Sequence, residues 1–159
     1  MERKTFNRAL EILRFVGIGA GVYLAFANRG GPVEQFRTME IWVVLSLAGL
    51  TGIESMFFAA GAAVLSGYSA SGFQRQSGFN NLAVAMTAIF SRLFGWGVYA
   101  DAAVCTVVLV FFTLSAGNHL YSALKEGNRT FRSYSRPLAT AALLAATLPI
   151  MIRALLNVH

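Results

Sequence analysis

Glu54 stands inside an apolar run of membrane-spanning length, Ile41 to Leu65. A charge at the centre of such a helix costs about 2.5–3.5 kcal/mol or more, so an intramembrane acid must pair, titrate or bind. Three chemistries are open to it: a hydrogen-bonded structural acid that locks helices together, a proton- or cation-binding group, or a contact with another membrane subunit. The other side chains with donor, acceptor or titrating capacity near apolar runs are Arg14, Gln74, Gln76, Asn80, Asn81, Asn118 and His119. Uncharged amides both donate and accept. An imidazole titrates near neutral pH, which suits a proton relay or an interfacial hydrogen bond.

The remaining chemistry-bearing residues are sparse. Cys105 is the single cysteine, set in Ala-Ala-Val-Cys-Thr-Val-Val, and reads as a small buried apolar side chain. No cysteine pair and no closely spaced His/Glu set offers a zinc site. His159, the other histidine, is the last residue. No Ser-His-Asp grouping, phosphate loop or carboxylate pair in one pocket stands out, so no catalytic residue, metal or cofactor is expected and the chain reads as non-enzymatic.

The elements that must position these residues are membrane helices. The chain has 159 residues, 56% hydrophobic and 13% charged, with mean hydropathy +0.58. Soluble domains carry about 25% charged residues. The expectation is an all-α polytopic transmembrane helix bundle forming a single integral membrane domain over residues 1–159. Five windows approach the roughly 17–25 residues that a span needs: Ala9–Ala27, Ile41–Leu65, Phe79–Gly97, Val98–Tyr121 and Pro137–Val158. Ser91 and Arg92 weaken the third, so the alternative is four spans plus a re-entrant segment. Pro137 suits the first turn of the last helix. Met1 to Lys4 and Ala25-Phe26-Ala27 mimic a signal peptide, but Glu11 and Arg14 interrupt the run, and the segment reads as a retained first span.

The formal charge is +6. Its Lys and Arg lie between apolar runs instead of along one stripe, which argues against nucleic acid as a partner and for the lipid bilayer. With five spans, Arg3, Lys4, Arg8, Arg14, Arg75, Lys125, Arg129, Arg132 and Arg136 fall on one side, and Arg29, Arg37, Arg92 and Arg153 on the other. The richer side faces the cytoplasm, giving a multi-pass protein of the cell inner membrane with a cytoplasmic N-terminus. Trp42, Trp96 and Tyr99 then lie at the outer boundary and Tyr68, Tyr121 and Tyr134 at the inner one.

In this topology Arg14, Gln74/Gln76, Asn80/Asn81 and Asn118/His119 meet at the cytoplasmic level. Glu54 lies roughly 10–20 Å deeper at 1.5 Å per residue, at the base of a polar vestibule. Asn80 and Asn81 would open the third span, where helix donors lack partners. Gly17 and Gly21 form a GxxxG that brings backbones close, either within the chain or at a dimer face. The functional expectation is a polar intramembrane pocket handling a small solute or protons. The alternative is an accessory subunit of a larger membrane complex, redox complexes included.

The block Gly72-Phe-Gln-Arg-Gln-Ser-Gly-Phe-Asn-Asn-Leu82, with the late Asn118-His119, resembles the signature of an uncharacterised family of small prokaryotic multi-span membrane proteins, approximately F-Q-x-E-x-G-x-x-N-L. The resemblance covers Gly52 to Asn128 and implies fold and membrane location, not an activity. Gln76 stands where that pattern has a carboxylate, so hydrogen bonding is kept and charge is lost. The chain is more loosely similar to DoxX-like small membrane proteins, some associated with quinone-linked redox complexes. A shared fold does not transfer function.

Overall fold

A computed structural model describes residues 2–67 and 72–158, with side chains from Thr5 onward. Tyr68, the Ser69–Ser71 part of the polar loop, the Arg3 and Lys4 side chains and His159 lie outside the described residues. Every described element is helical: α1 (Glu2–Ala27), α2 (Pro32–Val44), a π-helical turn (Leu45–Gly49), α3 (Leu50–Phe57), α4 (Ala59–Ser66), α5 (Gly72–Phe94), α6 (Val98–Lys125) and α7 (Phe131–Leu155). Four helices are long and apolar enough to cross a membrane: Thr5–Ala27, Pro32–Phe57, Val98–Lys125 and Phe131–Leu155.

The second span differs most from expectation. Its helix begins at Pro32, not at Ile41, because Glu34, Arg37 and Glu40 are carried on helical faces instead of forming a loop. Proline at the first helical turn favours this start, since its missing N–H is unneeded there. The shift puts Trp42 ten residues into the helix, about 15 Å from its start, beside Gly21. It also leaves Glu54 near the end of Pro32–Phe57 instead of at its centre. The path then breaks at Phe58 (φ −128°, ψ 24°) and resumes as α4. Asn7 of α1 donates its Nδ2 hydrogen to the Phe58 carbonyl at 3.3 Å, occupying an acceptor at the break.

The last span also starts earlier. Residue 131, not Pro137, opens α7, so Pro137 and Pro149 are both interior. Arg132 and Arg136, counted above among loop charges, therefore sit one helical turn apart on one face of α7.

Small residues set the helix contacts. A Cβ on Gly17 would strike the Ser46 side chain, and one on Gly21 would lie 2.5 Å from Trp42 Cβ. The Gly17/Gly21 face of α1 thus packs against α2 and the π-helical turn of the same chain. Gly52 of α3 and Gly78 of α5 face each other, each within about van der Waals reach of the other's carbonyl for any added Cβ (3.0 and 3.2 Å). The apolar core gathers Phe36, Met39, Val43 and Val44 of α2 against Ala85 and Ala88 of α5, Cys105 and Leu109 of α6, and Leu143 and Met151 of α7.

Candidate functional site

Arg14 reaches the site because it lies three and seven residues before Gly17 and Gly21, on the face of α1 that packs inward. There its Nη2 donates to Glu54 Oε2 at 3.0 Å. Both residues are buried, Arg14 8% and Glu54 2% exposed. Arg132 of α7, 3% exposed, completes the group: its Nη2 lies 2.9 Å from Glu11 Oε2 and 3.5 Å from Glu54 Oε1. Its Nη1 is 3.5 Å from Ser66 Oγ at the end of α4. Helices α1, α3, α4 and α7 are thereby tied at one level by charge.

The carboxylate of Glu54 is therefore not the solitary base of a vestibule below Arg14. The two side chains meet directly, because the helix bearing Glu54 ends three residues later. Breaking such a buried pair by removing one partner costs about 3–5 kcal/mol, since it strands the other charge.

A cavity of about 650 Å³ opens beside this network. Glu11, Arg14, Glu54, Gln74, Asn118, His119 and Arg136 supply its polar wall, with Thr51, Ser55, Ser66, Ser77 and Ser115. Arg136 Nη1 and His119 Nε2 are 2.6 Å apart. As Arg136 is cationic, it donates, which makes Nε2 the acceptor and places the neutral imidazole's proton on Nδ1. Ile18, Leu47, Phe111, Phe112, Leu143 and Ala146 form the apolar wall.

Of the sequence-derived candidates, Glu54, Arg14, Gln74, Asn118 and His119 line this cavity, and Gln76, Asn80 and Asn81 do not. Helix periodicity is the reason. Gln74 and Ser77 share the inward face of α5, which turns Gln76 and Asn80 outward, where both are exposed. Asn81 is buried, but its Nδ2 donates to the Ser77 carbonyl within the helix. Since α5 begins at Gly72, neither asparagine opens it.

Glu11, Arg132 and Arg136 were missed as site residues. The four-residue spacing of the two arginines on an apolar helix was the available signal. A second polar group, remote in sequence from the first, was also missed. Arg37 Nε donates to Asp101 Oδ2 at 2.9 Å and Ser91 Oγ to Asp101 Oδ1 at 2.6 Å. Glu34 approaches Arg37 at 3.3 Å and Arg92 at 3.8 Å. Glu40, 1% exposed, lies on the same helix as Arg37, and its Oε1 has no hydrogen-bond partner among the described residues.

No curated protein and no solved structure matches the chain. One family model does, over residues 6–157, which takes in α2 to α7, α1 from Phe6 onward and all of the cavity wall. The chain accordingly belongs to the Family of unknown function (DUF6790).

Proposed function

We propose that this is a non-enzymatic protein of the cell inner membrane, crossing the bilayer five times with its N-terminus in the cytoplasm, that binds a small solute in the cavity beside Glu54. The carrying observation is the cavity itself: about 650 Å³ inside an apolar bundle, with a buried Arg14–Glu54–Arg132 network along one side. Ligand pockets typically occupy roughly 300–1,000 Å³ and combine apolar walls with a few convergent polar groups. Intramembrane ionisable residues mark ligand or ion paths by default.

Support for a fifth crossing comes from α5. It is one continuous helix of 23 residues, about 34 Å long at 1.5 Å per residue. Its outward face exposes Met86, Ile89, Phe90, Leu93 and Phe94, whereas Gly78, Asn81, Ala85, Ala88 and Ser91 are turned inward. From Met86 to Phe94 the exposed side of α5 is apolar and suits lipid, whereas Arg75, Gln76 and Asn80 are exposed near its start. With α5 crossing, the cavity mouth faces the basic, cytoplasmic side.

The test is purification in mild detergent followed by native mass spectrometry and organic extraction. A small-molecule adduct at one per chain, lost in Glu54→Gln, supports the reading. An empty chain that copurifies with other subunits in fixed proportion replaces it with an accessory role.

A further inference from the structure

The charges around the cavity do not balance, and the imbalance has a position. Three guanidinium groups, Arg14, Arg132 and Arg136, face two carboxylates, Glu11 and Glu54. Both carboxylates are engaged: Glu54 by Arg14 and Arg132, Glu11 by Arg132. Among the described residues Arg136 has no carboxylate within ion-pair distance, and the polar atom it meets is the imidazole Nε2 of His119. A cation in a low-dielectric wall is costly without a counter-charge. Arg136 supplies several N–H donors in a planar fork suited to a carboxylate or phosphate.

The cavity is also graded along its length. Glu11, His119 and Arg136 lie at the end of the bundle where α1 and α7 begin and α6 finishes. Moving inward, α1 contributes Ile18, α6 contributes Phe111 and Phe112, and α7 contributes Leu143 and Ala146. From Arg136 to Ala146 the helix advances about 15 Å at 1.5 Å per residue. One end thus carries one more guanidinium than carboxylates, and the other offers a hydrocarbon-lined sleeve.

We propose that the cavity takes an amphiphile with one anionic head, carboxylate or phosphate, its head on Arg136 and its chain along Phe111, Phe112 and Ala146. The proposal rests on the solute-binding reading above and names the class of that solute. The head accepts from the Arg136 guanidinium, Asn118 and Gln74 are within the same wall as further donors, and the surplus positive charge is neutralised by a single anion.

The experiment uses the full chain in nanodiscs of zwitterionic phosphatidylcholine, titrated with dodecanoate, dodecyl phosphate, dodecanol and dodecyltrimethylammonium. The two anions are expected to bind and to raise the melting temperature, and the neutral and cationic chains are not. Arg136→Gln should weaken dodecanoate at least about tenfold, the loss of one charge-assisted contact, and Arg136→Lys should recover part of it. Ala146→Phe should weaken dodecanoate more than hexanoate while leaving Arg136 in place, which keeps the proposal testable should Arg136→Gln misfold. Binding of free anions in these discs identifies a free amphiphile. Occupancy that arises only when phosphatidylglycerol is added identifies a lipid headgroup, and both outcomes support the anionic class. Equal binding of dodecanol and dodecanoate overturns the class and leaves the cavity reading standing. Failure of all four probes, with phosphatidylglycerol also absent from the cavity, overturns the amphiphile class, and the solute-binding reading falls with it only if native mass spectrometry also finds the chain empty.

Discussion

Glu54 is held from two sides, so its removal acts on two arginines. Glu54→Ala leaves Arg14 without its carboxylate, whereas Arg132 keeps Glu11. The expected loss is about 3–5 kcal/mol, as for other broken buried pairs, read as a large drop in detergent melting temperature. The double variant Arg14→Met/Glu54→Leu should be milder than Glu54→Ala, because replacing both charges with apolar groups strands neither. At this scale the sequence was informative where a charge interrupts an apolar run: Glu54 and Arg14 were both visible that way. Arg132 and Arg136 were not, because basic residues ahead of a span carry the same signature whether they orient the chain or turn inward along a helix. Glu40 escaped for a related reason. Averaged hydropathy charges it against the helix, although its side chain is buried.

The elements meet where side chains are smallest. A methyl group on Gly78 would stand 2.9 Å from Ser55 Cβ and 3.2 Å from the Gly52 carbonyl oxygen, so α5 would have to move off α3. Gly78→Ala should therefore destabilise the protein by about 1–3 kcal/mol, the usual range for overpacking. Gly19→Ala, where an added Cβ meets nothing within 4 Å, should leave the melting temperature unchanged or raise it, since alanine favours the helix. Comparing the two melting curves checks both. The existence of these helices was legible from apolar runs, but their ends were not. Phe58 breaks its helix with neither proline nor glycine there to announce it, and the hydrogen bond from Asn7 that occupies its carbonyl comes from 51 residues away. Gln76 and Asn80 turn outward because Gln74, Ser77 and Gly78 occupy the inward face of α5, a face that polar residue types alone do not reveal.

For the molecule as a whole, an odd number of crossings puts the two chain ends on opposite sides of the membrane. A reporter active only outside the cytoplasm should work when fused after Val158 and fail when inserted at Gly127. Activity at Gly127 with none after Val158 would remove the fifth crossing and the cytoplasmic cavity mouth with it. The Glu11–Arg132 bridge joins side chains 121 positions apart, and this has a bearing on how the protein is made. The first helix leaves the ribosome with Arg14, whose partner Glu54 comes with the second span, and with Glu11, whose partner Arg132 comes only with the final helix. During synthesis the nascent chain must hold Glu11, Arg14 and Glu54 in a half-built state, sheltered by the insertion machinery or by water. A chain stopped at Thr130 would never leave that state, and pulse-chase labelling should find it degraded faster than the complete protein.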